Sequence, residues 1–235
     1  MEVLNTIGPI TAFLPCRKGS ERVPRKNIRP FAGHDCGLLQ IKLGQLLDCE
    51  AIDRVVVSSD DPEVLGYADG LGHERIDLHE RRADLASSQT STDALVGHAA
   101  DLITEGHILW THVTSPFFGA THYRRAIDTY WAGLSRGYDS LMTTTPIRGF
   151  LWNESGPLNY DRKIEKWPRT QTLPVIHEVN SAVFLAPVEI YRSANDRIGD
   201  SPILFDNDGI SALDIDWEED FQHAEALLKA GVAKI

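Results

Sequence analysis

Cysteine is scarce in this 235-residue sequence, with Cys16, Cys36 and Cys49 as the full set. Three thiols at these spacings build neither a disulfide framework nor a cysteine-rich zinc site, so we expect free thiols in a reducing compartment. Positive charge is also short. With 23 Lys and Arg against 34 Asp and Glu, the formal net charge is −11, which argues against a protein that wraps nucleic acid or sits on an anionic membrane. No apolar run reaches the roughly 18 residues that a membrane helix requires, and Met1 to Gly8 holds no basic segment followed by a long apolar one. The expectation is a soluble, cytoplasmic protein. Three motifs are absent as well: the Gly-Lys-Ser/Thr order of a P-loop, the Gly-x-Gly-x-x-Gly dinucleotide fingerprint, and the Gly-x-Ser-x-Gly elbow of hydrolases. The histidines outside position 112 show no spacing that predicts a zinc site.

What is present is an ordinary globular composition, 42% hydrophobic and 24% charged, sufficient for a single domain with a core and a cleft. Buried-strand patterns over Ile10–Cys16, Arg54–Ser58, Ile108–Val113 and Tyr138–Thr144 alternate with helical periods over Leu38–Leu47, Pro62–Leu71, Thr92–Ile103 and His122–Leu134. This βαβ rhythm predicts a mainly parallel sheet in an α/β sandwich.

The rhythm breaks after Thr145. Proline, glycine and asparagine punctuate a stretch that also contains Trp152, Tyr160 and Trp167, and we read Ile147–Glu178 as an inserted arm, acting as a lid, an oligomer contact or both. Val179–Ala186 returns as a strand. Trp217, Phe221, Ala224 and Leu228 then fall on one face of a closing helix.

One loop gathers cations in an acidic chain: Arg17, Lys18, Arg22, Arg25, Lys26 and Arg29 lie within thirteen positions after the first strand. At the carboxyl end of a strand, Gly19 and Ser20 let backbone N–H groups approach a phosphate while Arg17 and Lys26 neutralise it. Composition alone identifies an anion site, with a solvated basic turn as the alternative.

The order of residues says more. Arg17-x-Gly19-Ser20-x-Arg22-x-Pro24-x-Lys26-Asn27 resembles the signature loop of the acylneuraminate cytidylyltransferase family. Further matches follow in family order: Ser58-Ser59-Asp60, Arg81-x-x-x-Leu85-Ala86, Thr114-Ser115-Pro116, Arg169-x-Gln171-x-Leu173-Pro174, Asn180 and Asp214-Ile215-Asp216. The resemblance implies a nucleotide-sugar transferase fold, a three-layer α/β/α sandwich whose arm serves dimerisation and reaches the partner's cleft. It also implies transfer of CMP from CTP to an acidic sugar, a sialic acid or related nonulosonic acid, with release of pyrophosphate.

By the same resemblance Arg17 and Lys26 contact the phosphates, while Ser20, Arg22, Asn27, Arg81 and Thr92 serve the nucleotide. His112, Ser115, Arg169, Asn180 and Phe184 fall on the acceptor side, with Arg169 pairing its guanidinium with the acceptor carboxylate. Asp214 and Asp216, one residue apart, put both carboxylates on one side of an extended chain and suit Mg²⁺. Asp216 alternatively caps the closing helix, with Glu219 completing a capping box. Phe184 alternatively belongs to the core. Two positions depart from the family: Glu21 replaces a lysine, and His112 replaces a glutamine associated with the acceptor. The second change leaves open a different small acid, another keto-deoxy sugar acid or a phosphonate, and a non-catalytic nucleotide-binding homologue is the remaining alternative.

Overall fold

The structure is a computed structural model that describes residues 8–20, 22–87 and 90–235. Glu21, and with it the question of the missing lysine, lies outside the described residues.

In chain order the elements are β1 (Ile10–Cys16), α1 (Gly37–Leu47), β2 (Arg54–Ser59), α2 (Pro62–Gly70), β3 (Ile76–Glu80), α3 (Thr92–Leu102), β4 (His107–Trp110) and α4 (Ala120–Leu134). The second half contains β5 (Ser140–Ile147), β6 (Trp152–Asn153), β7 (Gly156–Pro157), β8 (Ile176–Pro187), α5 (Val188–Ser193), β9 (Pro202–Asp206) and α6 (Glu218–Lys229). Seven strands form one sheet in the order β3-β2-β1-β4-β8-β5-β9. All neighbours are parallel except β8, which runs antiparallel to both β4 and β5. This is the mainly parallel α/β sandwich expected from the sequence.

The layers follow from side-chain alternation. In β1, Ile10, Ala12, Leu14 and Cys16 enter one core, shared with α1, α2, α4 and α6. Phe13 points the other way, into a core built from α3 and α5 with Val56, Ile108, Trp110 and Phe184. A strand covered on both faces reads as a continuous apolar run, which is why β1 and β2 were legible. Each fully buried side chain of the size of Phe13 contributes about 2 kcal/mol through removal from water.

From β1 the chain steps outward to β2 and β3, then returns to the other side of β1 for β4. That reversal opens a crevice at the carboxyl ends of β1 and β4, the place where such sheets accept ligands. Among the described residues no helix is long and apolar enough to cross a membrane.

Several boundaries differ from expectation. β3, β9 and α5 are additional elements; the first two lie at the sheet edges, where half-exposed strands lose the continuous apolar signature. The strand expected to run to Val113 ends at Trp110, since the chain turns there into the cleft wall. The arm is shorter than Ile147–Glu178. Ile147 pairs with Ile176 and Thr145 with Glu178, so both ends of that interval belong to β5 and β8. On α6, Phe221 and Ala224 are buried as the helical stripe predicts, but Trp217 is 55% exposed and precedes the helix.

Candidate active site

The basic loop wraps the mouth of the crevice because apolar residues pin it from below. Val23, Ile28 and Phe31 are buried in the first core. Gly19 takes φ +75, a left-handed turn that glycine adopts without steric cost. Gly37 takes φ +50, and a Cβ there would lie 1.9 Å from the Arg29 carbonyl oxygen, so only glycine lets α1 start against the loop. Asn27 donates its side-chain amide to the Arg17 carbonyl at 3.1 Å, closing the loop on itself. The Lys18 backbone N–H donates to Asp60 at 2.7 Å, which ties the loop to the Ser58-Ser59-Asp60 segment.

Five of the six cations differ in their partners. Arg25 pairs with Glu63 at 2.7 Å, and Arg29 donates both Nη atoms to Glu218 at 2.8 and 2.9 Å. Arg22 pairs with Asp216 at 2.8 Å and lies 4.9 Å from the Trp217 ring. Lys26 donates to the Ile215 carbonyl at 2.7 Å and sits 3.6 Å from Asp216. Burial pulls the Lys26 ammonium below the usual lysine range, against the opposing pull of Asp216 and Asp214. Arg17 lines the cleft and has no ion pair among the described residues.

The cleft holds about 440 Å³ and brings together Arg17, Ser20, Arg22, Lys26, Asn27, Arg81 and His112 from the predicted set, along with Leu95 and Thr114. Thr92 is exposed at the first turn of α3, one helical turn before Leu95. Asp214 and Asp216 flank Lys26, with the intervening Ile215 fully buried, as an extended segment requires. The Ser115 hydroxyl donates to Asp214 at 3.5 Å, and the Ile215 N–H donates to the Thr114 carbonyl at 2.8 Å, so the Thr-Ser-Pro turn and the acidic pair form one unit. Burial pushes the Asp214 carboxyl above the usual carboxylate range; the hydrogen bond from Thr114 opposes this and Asp216 adds to it.

His112 is oriented by a neighbour. Trp110 Nε1 can only donate, and it reaches His112 Nε2 at 3.0 Å, so the neutral ring carries its proton on Nδ1. Burial, with Arg197, Lys26 and Lys42 nearby, pushes the imidazole down to about 3, so it stays neutral.

Other predicted residues take structural places. Asn180 is buried and its amide group is fully engaged, donating to the Ala212 carbonyl at 2.9 Å and accepting from the Ala182 N–H at 3.1 Å. Phe184 belongs to the core, with the Arg197 guanidinium 3.9 Å over its ring. Arg169 is exposed at the foot of the arm, outside the residues lining the cleft. The capping box of α6 uses Asp220, which accepts from the N–H groups of Asp216 and Trp217 at 3.0 and 2.8 Å, instead of the Asp216 and Glu219 pairing. This leaves the Asp216 carboxylate to Arg22 and Lys26.

Two residues escaped the sequence reading. Lys42 on α1 is fully buried and donates to the carbonyls of Ser115 and Phe118 at 2.9 and 3.1 Å and to the Tyr123 hydroxyl at 2.8 Å. It fixes the turn that carries Ser115, but a lysine within a helical stripe gives no sequence signal. His98 meets His79 with ring centroids 4.9 Å apart, although 19 residues separate them in sequence.

Residues 11–233 match the family described as cytidylyltransferase. The chain belongs to the cytidylyltransferase family. It is 25% identical over 225 residues to the pseudaminic acid cytidylyltransferase of Campylobacter jejuni (serotype O:2), covering 92% of this chain and 95% of the relative. It is likewise 25% identical over 224 residues to the N-acylneuraminate cytidylyltransferase of Escherichia coli O18:K1:H7, covering 92% of this chain and 51% of the longer protein. Among solved structures, 4-diphosphocytidyl-2C-methyl-D-erythritol synthase from Anaerococcus prevotii superposes with a TM-score of 0.68 at 13% identity, over 94% of this chain and 96% of that one. A CMP:2-keto-3-deoxy-manno-octonic acid synthetase complexed with CTP gives 0.64 at 14% identity, over 95% and 99%. These two share the fold. The family makes this chain a CTP-dependent nucleotidyltransferase.

Proposed function

We propose that this cytidylyltransferase moves CMP from CTP to the hydroxyl of an acidic sugar of the nonulosonic class, with pyrophosphate as the leaving group. The observation that carries the reading is that Arg17, unpaired among the described residues, and Lys26 line one cleft, and that Lys26 is flanked by the Asp214 and Asp216 pair. The named activities of the relatives on pseudaminic and N-acylneuraminic acids support the acceptor class.

In the reaction the acceptor oxygen bonds to the α-phosphorus, the bond from that phosphorus to the β-phosphate bridge breaks, and the hydroxyl proton is released. Arg17 and Lys26 neutralise the charge that gathers on the departing pyrophosphate. Ser20 and Asn27 shape the loop against the triphosphate, and Arg81, which lines the cleft, takes acceptor atoms of the base. His112 offers its Nδ1 proton to an oxygen of the acceptor, and Arg169 of the arm supplies a planar guanidinium for its carboxylate.

Two carboxylates one residue apart, one of them raised by burial, fit a hard cation with oxygen ligands, so Asp214 and Asp216 would hold Mg²⁺ together with phosphate oxygens and water. The ion would supply charge neutralisation at the phosphates. The arm bears Phe150, Trp152, Tyr160 and Trp167 in one aromatic cluster, with Trp152 and Trp167 46% and 62% exposed. We assign that surface to a homodimer contact, and the enzyme to the cytoplasm.

The test is pyrophosphate release with each of the four nucleoside triphosphates against sialic, legionaminic, pseudaminic, keto-deoxy and phosphonate acids, with and without magnesium. Turnover confined to CTP and a nonulosonic acid supports the reading. Turnover only with another acid moves the acceptor, as His112 in the glutamine position allows. CTP binding without turnover on any acid favours a non-catalytic homologue.

A further inference from the structure

Arg81 lines the cleft, is only 4% exposed and forms no ion pair among the described residues. It is held entirely by one neighbour. Its Nε donates to Ser58 Oγ at 3.1 Å, and one Nη donates to the Ser58 carbonyl. Two contacts to the same residue fix the plane of the guanidinium, and its other N–H groups remain available on a residue that lines the cleft.

Ser58 is fully buried, so its single hydroxyl proton must find an acceptor inside the protein. The oxygen already accepts from Arg81. The remaining neighbour is His98 Nε2 at 3.1 Å, and the proton therefore goes there. His98 accepts at Nε2 and carries its own proton on Nδ1. Donation thus runs from the arginine, through the serine, to the histidine.

We propose that His98 is a positioning residue for the nucleotide: through the Ser58 hydroxyl it holds Arg81 in the orientation that presents N–H donors to the base. The inference rests on the reading of the cleft as a CTP site. An arginine offers only donors, so the matching edge is an acceptor edge, which the 2-carbonyl and ring nitrogen of a cytosine supply.

Acid should break the relay. A protonated His98 becomes a donor at Nε2, facing an oxygen that already accepts from Arg81, and leaves the serine proton without a place. It also sets a second cation beside Arg81. Burial moves His98 below the usual histidine range, with His79 from β3 and Arg81 adding repulsion and Asp101 on α3 and Asp84 in the turn between β3 and α3 opposing it. Neither carboxylate forms an ion pair with the ring among the described residues.

The experiment is calorimetric measurement of CTP binding from pH 5 to 8 for the wild type and for His98→Leu, His98→Gln, His79→Gln and Ser58→Ala. We expect His98→Leu to bind about tenfold more weakly than the wild type at pH 7.5, and this ratio to shrink on the acid side, where titration of the CTP phosphate acts on both proteins alike. His98→Gln, whose amide oxygen can accept the serine proton, should recover most of the affinity at pH 7.5, whereas His79→Gln should keep the wild-type pH dependence. Ser58→Ala removes the relay with a small change in volume and gives the same weakening should the leucine variant not fold. Wild-type-like binding across pH in both His98→Leu and Ser58→Ala, or a His98→Gln variant as weak as His98→Leu at pH 7.5, overturns the inference. A wild type that binds no CTP at any pH overturns the nucleotide reading as well, whereas wild-type binding that the substitutions leave unmoved overturns this inference alone.

Discussion

The Lys26 ammonium donates to the Ile215 carbonyl at 2.7 Å and lies 3.6 Å from the Asp216 carboxylate, so a single cation joins the basic loop to the acidic pair. The loop and the segment before α6 are 189 residues apart in sequence, yet they form one wall. Replacing Lys26 by Met should lower turnover by roughly 10²- to 10³-fold, the range for removing a preorganised donor from a transition state. Pyrophosphate release below the melting temperature, with circular dichroism to confirm folding, checks this. Burial lowers the Lys26 pKa from 10.5, so activity should also decline on the alkaline side earlier than a free lysine would titrate.

Arg17 gives a contrasting case. With no ion pair among the described residues, Arg17→Ala should leave the melting temperature within a degree or two of wild type while weakening CTP binding by about ten- to a hundredfold, the worth of a charged hydrogen bond. Parallel calorimetry and thermal denaturation separate the two effects.

Lys42 makes stability depend on pH. Burial lowers its pKa from 10.5 to about 7 in the folded protein. Between those values the unfolded chain holds a proton that the folded one has released, so stability from this group rises as pH increases from 7 towards 10.5 and is least below 7. Lys42→Met should abolish that rise. It should also leave two carbonyls and the Tyr123 hydroxyl without their donor, costing about 1–3 kcal/mol for buried groups of this kind. Urea unfolding at pH 6.5, 8 and 9.5 measures both.

His112 should act on the acceptor alone. With its pKa pushed down to about 3, it contributes no change in charge between pH 5 and 8. His112→Gln should therefore alter the KM for the acidic sugar while the KM for CTP stays within about twofold, since uncharged contacts to one substrate are worth only a few kcal/mol and leave the other untouched. A change in the CTP constant equal to that for the acceptor would place His112 in the nucleotide site instead.

The arm prediction concerns assembly. Trp152 and Trp167 stack with centroids 6.4 Å apart, and Arg162 lies 5.3 and 5.4 Å from their rings. The double substitution Trp152→Ser, Trp167→Ser should convert a dimer to a monomer and reduce activity with little loss of secondary structure. Light scattering coupled to size exclusion reports the mass, and a wild-type monomer would remove the dimer from the proposal.

Much of the fold was legible because the central strands are covered on both faces. Val55, Val56 and Val57 are buried as a block, and such runs stand out from the helices between them. β3 is only partly buried and β9 carries exposed Leu204, so their sequences lack that contrast. In the site, the loop residues from Arg17 to Asn27 were legible as a cluster of charge in an acidic chain. His98, Lys42 and the role of Asp220 were not, because each is defined by a partner on another element or by which residue happens to start the helix.

By itself the sequence determined the alternation of strands and helices, the position of a basic, glycine-containing loop after the first strand, and the spacing of Asp214 and Asp216. Those are local properties, carried by periodicity, charge and the freedom of glycine. Only the tertiary structure decided which cations are spent on ion pairs and which remain for a ligand, since Arg25, Arg29 and Arg17 are alike in sequence and differ only in the carboxylates that folding brings to them. It likewise set the partners of Asn180 and Phe184, the Ala212 carbonyl and Ala182 N–H for one and the Arg197 guanidinium for the other. Burial and pairing are set by residues far away along the chain, and a side chain's chemistry is whatever its neighbours leave unsatisfied.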